Sequence, residues 1–285
     1  MTKTGVRAAT EDDLAAIAAV ATATGQVEEW SGSDPGYVRH LLAHGRVLVA
    51  EAGGAVTGFG ATRRIGTGPG AVTMLCDLFV DPGAHGRGTG RALLAGLWEP
   101  GTPRMTFSSL HAHALPLYTR AGLDAWWPLL YLGGDPGGLP RSPEWSVAAA
   151  DPAAVAALEA DWTGTDRAAD HRAWAARPGG RPVIARHGAV ALAAGTVAGV
   201  DAEYGIAHLA LSPAAGDGEA VAAVLAVLGS LDTRDGRGRV CLPAPHPAVR
   251  PLLAAGWHVD FMDIFMATEP GLLDPRRAVP SPAMA

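Results

Sequence analysis

Leu78-Phe79-Val80-Asp81-Pro82-Gly83-Ala84-His85-Gly86-Arg87-Gly88-Thr89-Gly90-Arg91-Ala92-Leu93-Leu94 compresses an apolar strand, a glycine-rich turn and a helix start into seventeen residues. Glycine lets the backbone approach an anion closely, and several N–H groups then point with the helix N-terminus at one spot. A pyrophosphate fits that chemistry. A Walker A loop requires Gly-Lys-Ser/Thr, and this stretch has no lysine. The dinucleotide fingerprint fails too: Gly86 and Gly88 put Arg91 where the third glycine belongs, and no acidic residue follows on a clear strand about 20 residues later.

Outward from this stretch the chain reads twice. Val6–Thr10 leads into Glu11, Asp12 and Asp13, where Thr10 and Asp13 have capping-box spacing and the acidic turn suits the helix dipole. Trp145–Ala149 leads into Asp151-Pro152, an N-cap with proline at the first helical position. Hairpin signals follow in each half, around Gly53-Gly54 and His187-Gly188. Then come an apolar strand ending in proline (Pro82, Pro213), an amphipathic helix, another strand and an Ala-Gly-large-apolar ending (TRAGL at 119–123, LAAGW at 253–257). Matching positions are 141 apart at Val6/Val147, 131 at the prolines and 134 at Gly122/Gly256, a drift that loop insertions produce. The turn-rich GGDPGGLPRSP at 133–143 marks the boundary, and the Pro-rich residues from about Gly271 are expected to lie over the surface or fray.

Composition bounds the function. The 285 residues are 48% hydrophobic and 18% charged, enough to bury two cores and too apolar for disorder. A net charge of −6 without a basic block argues against nucleic acid as partner. Lys3 is the only lysine among 22 basic residues, a skew that suits a GC-rich bacterial genome. Cys76 and Cys241 stand in apolar surroundings and read as buried thiols, not a disulfide. No run reaches the ~18 apolar residues of a membrane helix, and the start has no signal-peptide core. A cytoplasmic protein is expected, with a monomer preferred over a dimer.

The loop His85-Gly86-Arg87-Gly88-Thr89-Gly90 after a strand ending Leu78–Pro82 resembles the acetyl-CoA loop of the GCN5-related N-acetyltransferases, Gln/Arg-x-x-Gly-x-Gly/Ala after L-x-V-x-P. Histidine at 85 departs from that pattern. A second signature of the family, Asn-x-x-Ala-x-x-Leu-Tyr-x-x-x-Gly-Phe, is matched about 25 residues on by His111-Ala112-His113-Ala114-Leu115-Pro116-Leu117-Tyr118-Thr119-Arg120-Ala121-Gly122-Leu123. The resemblance covers residues 5–133 by motif and 145–268 by architecture. It implies an α/β (α+β) chain of two tandem acyl-CoA N-acyltransferase folds, each a mixed, mostly antiparallel sheet flanked by helices. The expected domains are 1–134 with the acetyl-CoA loop, 144–270 as a degenerate copy, and 271–285 as a tail. It further implies strands that splay to admit pantetheine, with Leu78, Phe79 and Val80 bonding that arm. His85, Gly86, Arg87, Gly88, Thr89, Gly90 and Arg91 would hold the pyrophosphate, and His111 would sit near the cofactor.

The implied reaction is acetyl transfer from acetyl-CoA to a primary amine in a ternary complex. The departing thiolate needs a proton, and a phenol at ~10 can serve a thiol at ~8.5. Tyr118 holds the family's tyrosine position; a core-lining tyrosine is the bland alternative. The base is less evident. Met74 and Cys76 occupy the strand face where relatives carry it, and Asp77 points the other way unless a bulge reverses the alternation. Asp77 is therefore either the base or a buried structural carboxylate. Glu28, Glu29 and Trp30 fall where relatives cover the acceptor, and read either as recognising a cationic amine or as a solvated turn. His111 and His113 lack a third ligand nearby in sequence, so no metal is expected. In the second half Asp217, Glu219 and Val221 replace Gly86, Gly88 and Gly90, and Leu252 replaces Tyr118, so cradle and acid are both missing. A CoA-binding sensor or partner-binding module with little catalysis is the alternative, and transfer to a hydroxyl or of a longer acyl chain a third reading.

Overall fold

The computed structural model describes residues 5–25, 35–67, 70–200, 203–233 and 236–284. Its first half runs β1 (Gly5–Ala8), α1 (Leu14–Ala23), α2 (Pro35–His44), β2 (Arg46–Ala52), β3 (Ala55–Ile65), β4 (Val72–Val80), α3 (Thr89–Leu97), β5 (Arg104–Ser108), α4 (Ala114–Arg120) and β6 (Asp124–Gly134). Its second half repeats the succession: β7 (Trp145–Ala149), α5 (Pro152–Thr163), α6 (Ala168–Ala175), β8 (Arg181–His187), β9 (Val190–Val200), β10 (Glu203–Leu211), α7 (Asp217–Gly229), β11 (Gly238–Pro243), α8 (Val249–Ala254) and β12 (His258–Ala267). The fold is α/β, with mostly antiparallel sheets flanked by helices.

The caps are where the residue types put them. Thr10 and Asp13 close a capping box, and Arg7 grips Asp13 at 2.8 Å. Asp151 accepts the Ala153 N–H at 2.7 Å, with Pro152 filling the first helical position. Gly53 and Gly54 have φ of 62° and 83°, the left-handed pair that a two-residue hairpin demands. In the second copy the loop residues are Gly188 and Ala189, since His187 pairs with Val190.

Register aligns the copies more finely than composition. Between β3 and β4, Thr62 faces Leu75 and Ala61 faces Asp77, so Cys76 is the extra residue of a β-bulge. Between β9 and β10, Val197 faces Ile206 and Thr196 faces His208, which makes Ala207 the extra residue 131 positions on. That is the spacing of Pro82 and Pro213. Asp77 and His208 are therefore equivalent, as are Leu78 and Leu209.

The chain divides into two units: residues 1–125 with 266–269 and 284, and residues 126–265 with 270–283 and 285. This differs from a cut near residue 134, because most of β6 belongs to the second unit, where it pairs antiparallel with β11 from Leu129 to Gly134. The end of β12 belongs to the first unit, where the Thr268 N–H bonds the Arg104 carbonyl at 2.9 Å. The first unit orders its strands β1-β2-β3-β4-β5, and the second β12-β6-β11-β10-β9-β8-β7. Ile17, Val49, Phe59, Met74, Leu93 and Leu97 fill the first core. Val183, Val224, Leu228, Leu242 and Leu252 fill the second.

The tail does not fray. Val279 and Ser281 are 1% and 5% exposed, and the Leu209 N–H bonds the Val279 carbonyl at 3.0 Å. Proline-rich composition anticipated a surface segment; one apolar residue seated in the second core is what holds it. No helix among the described residues is long and apolar enough to cross a membrane. Neither Cys76 nor Cys241 is in a disulfide.

Candidate active site

The cleft begins where two parallel strands part. β4 and β5 pair at Thr73–Arg104, Met74–Met105 and Leu75–Thr106, and the Thr106 hydroxyl donates to the Leu75 carbonyl at 3.0 Å. The Cys76 bulge follows at once, and Leu78, Phe79 and Val80 continue beyond it along one wall. Their backbone pairs with β3 on one edge, and backbone groups of the alternate residues Leu78 and Val80 face the other edge, where His85 meets the Val80 carbonyl.

The glycine loop closes one end. Asp81 Oδ1 accepts the Gly83 N–H at 2.7 Å and starts a tight turn over Pro82–Ala84. Gly86 and Gly88 then take φ of 73° and 83°, and a Cβ built on either meets nothing within 4 Å. These glycines are required for their left-handed backbone, not for space. Gly88 is the N-cap of α3, so the first-turn N–H groups that follow have no partner within the helix. At Gly90 a Cβ would come 3.3 Å from Leu117 Cδ2, a tight contact that the end of the leucine side chain would have to yield to by a few tenths of an ångström. His85 folds back and donates from Nε2 to the Val80 carbonyl at 2.9 Å.

The cleft encloses about 540 Å³. All of the predicted cofactor residues line it except Arg87, which is exposed on the outer side of the loop. The far wall carries Tyr118, 7% exposed on α4, with Ser109, His111, Leu117 and Arg120. His113 lines it as well, and sequence spacing alone did not join it to His85. The rings of His85, His111 and His113 lie 5.3–6.3 Å apart, edge toward face. Among the described residues no group of three or more His, Cys, Asp or Glu is arranged to hold a metal ion.

Asp77 has the bulge that its alternation required, yet it does not line the cleft. It is 7% exposed, and its carboxylate receives the Tyr37 hydroxyl from α2 at 2.8 Å. Arg63 on β3 lies close by and donates to His40 Nε2 at 2.8 Å, with burial holding its guanidinium below the usual arginine range. Tyr37 was not singled out from the sequence, because one aromatic in an apolar helix carries no local signal. Glu28, Glu29 and Trp30 lie outside the described residues.

The second unit places other chemistry at the matching points. His208 replaces Asp77, and its Nε2 donates to Glu159 at 2.8 Å. His171 donates to the same carboxylate at 2.7 Å, and Arg167 stands 3.1 Å from it. Burial pushes the Glu159 carboxyl up, but these cationic and donor groups outweigh it and hold the carboxyl far below the usual range. Where the first unit has its glycines, Glu219 accepts the Gly216 N–H at 2.9 Å and α7 begins at Asp217. Leu252, fully buried, stands where Tyr118 does.

A sequence profile of acetyltransferase (GNAT) domains matches residues 43–122, which span the parted strands, the loop and Tyr118. A search of curated proteins finds no significant sequence match. Among solved structures, an assigned acetyltransferase from Pyrococcus horikoshii superposes with a TM-score of 0.70 at 16% identity, covering 98% of this chain and 92% of that one. A tandem GNAT protein from the clavulanic acid biosynthesis pathway gives 0.62 at 16% identity over 96% and 100% of the two chains. A GCN5-related N-acetyltransferase from Sphaerobacter thermophilus gives 0.60 at 13% identity over 99% and 98%. At these identities the likeness is one of fold.

Proposed function

We propose, on the premise that residues 43–122 form a GCN5-related N-acetyltransferase domain, that the first unit transfers an acetyl group from acetyl-CoA to a primary amine by direct attack in a ternary complex. One juxtaposition carries this reading: a left-handed glycine loop and the N-terminus of α3 at one end of the cleft, parted strands along one wall, and Tyr118 on the other. Unpartnered N–H groups at a helix start suit a pyrophosphate, and Arg91 and Arg120 add positive charge to the same cleft. The cleft-side backbone edge at Leu78 and Val80 suits the amide groups of a pantetheine arm.

The amine nitrogen attacks the thioester carbonyl carbon, the C–S bond breaks, and the thiolate takes the phenolic proton of Tyr118. The amine sheds its own proton to water, and the Tyr118 phenolate takes a proton back from solvent to restore the phenol. Asp77 accepts the Tyr37 hydroxyl and neither side chain lines the cleft, so we assign it the role of a buried structural carboxylate. We read the second unit as a degenerate copy. Carboxylates at 217 and 219 repel a pyrophosphate, and Leu252 has no proton to give. A CoA-binding module without catalysis draws on the distance of Asp77 from the cleft wall. Free-thiol release from acetyl-CoA, measured across small primary amines, decides between the two: amine-dependent turnover supports the transferase, and binding with no turnover supports the module.

A further inference from the structure

Leu209 is the residue on which the two units diverge. Its counterpart Leu78 lines an open cleft, whereas the Leu209 N–H is bonded by the Val279 carbonyl in an antiparallel bridge. β10 leaves β11 just as β4 leaves β5: they pair in parallel only at Tyr204–Gly238 and Gly205–Arg239, and beyond that the β10 edge is open to another strand. Val279 supplies it, and its side chain joins the main core of the unit.

The residues before Val279 fit the former cofactor loop as closely. Asp274 Oδ1 accepts the Arg276 N–H at 2.9 Å and its carbonyl accepts those of Arg277 and Ala278, so a turn presents both arginines together. The Arg277 guanidinium donates to the Ser212 and Ala215 carbonyls, and Arg276 pairs with Asp217. These carbonyls and this carboxylate flank Pro213, the counterpart of the Pro82 that opens the glycine loop. The loop that meets an anion in one copy meets a cation in the other. His246, 2% exposed, feels the same charge: burial, then Arg277 and Arg276, push its imidazole down to about 4.

We propose that the groove of the second unit between β10 and α7 is a peptide-binding site for a cationic turn followed by one strand-pairing apolar residue, and that its ligand is this chain's own residues 274–281. Strand addition supplies the main-chain bond, Val279 the apolar anchor and Arg276-Arg277 the charge selectivity. The carboxylate at 217 is thereby the complement of the tail, beyond its part in the loss of a cradle. Six residues separate β12 from Asp274, so the tail is present at an effective concentration on the order of millimolar, and a free peptide competes poorly. The proposal is independent of acetyl transfer by the first unit.

The test uses the full chain and its Arg277→Ala/Val279→Asp double variant, with a labelled synthetic peptide of residues 270–285 as probe. The Leu209 amide is expected to exchange with deuterium at least tenfold faster in the variant, and the peptide to bind the variant at one equivalent but not the wild type. Unchanged Leu209 protection, a variant that ignores the peptide, or a second equivalent of acetyl-CoA bound by the variant would each overturn the proposal. Should the double variant fail to fold, Arg276→Asp serves, since that side chain is 55% exposed and its loss leaves the core intact. Exchange at Leu209 should then rise about two- to fivefold and return on adding Asp217→Arg; no rise, or a rise that Asp217→Arg does not reverse, contradicts the docked tail.

Discussion

At the scale of single residues, Tyr118 and His246 make opposite use of burial. Tyr118 keeps a hydroxyl on the wall of a cleft and is the proposed acid. Tyr118→Phe preserves the ring packing and removes the proton, so kcat should fall about 10²-fold or more while the dissociation constant for acetyl-CoA changes little. Steady-state rates alongside equilibrium titration check both halves of that statement. His246 is instead held neutral, pushed down to about 4 by its enclosure and by two arginines. An unfolded histidine binds its proton near 6.5, so between about pH 6.5 and 4 the unfolded state holds a proton that the folded state refuses. Stability therefore falls as the pH drops through that window, by roughly 3 kcal/mol in all, and levels off below it. Urea midpoints for wild type and His246→Gln should converge toward pH 4 if this residue is responsible.

At the scale of elements, the same bulged strand serves two ends. In β4 the bulge puts Asp77 under α2, where Tyr37 meets it at 2.8 Å. In β10 the bulge puts His208 against Glu159 of α5, within a network that also takes in Arg167 and His171. Tyr37→Phe removes one donor from a buried carboxylate and should cost about 1–3 kcal/mol. Glu159→Gln leaves Arg167 only Asp170, 3.4 Å away, as a charged partner in a closed site and weakens the bonds of both histidines, so it should cost more, about 3–5 kcal/mol. Chemical denaturation of the two variants ranks them, and a Glu159→Gln chain as stable as wild type would remove the network from the account. The bulge itself was legible only as a condition. Alternation along Met74–Asp77 says that Asp77 faces away unless an extra residue intervenes, and nothing in the apolar string announces the extra residue. The loop was legible in detail, because left-handed glycines at 86 and 88 have few substitutes.

At the scale of the whole molecule, the duplication was readable from punctuation: prolines after the strands, glycines after the short helices, caps before the long ones. Which unit claims Trp126–Gly134 was not, since an apolar strand carries no mark of the sheet edge it will join. The seating of the tail is hidden in the sequence for a related reason. Its prolines and arginines look like surface, and only the Asp217 carboxylate and the Ser212 and Ala215 carbonyls, some sixty residues away, give the arginines a place. The proposed function requires that one unit hold an acyl-CoA cradle and the other lack it. Calorimetric titration of acetyl-CoA into the wild type and a Gly88→Glu variant tests it most directly. Gly88 sits at a φ of 83° with open space around its Cα, so glutamate adds about 1–2 kcal/mol of backbone strain and a negative charge at the loop without disturbing a packed neighbour. One equivalent bound by the wild type and none by the variant is the predicted result; two equivalents, or one that survives Gly88→Glu, would place the cradle elsewhere and contradict it.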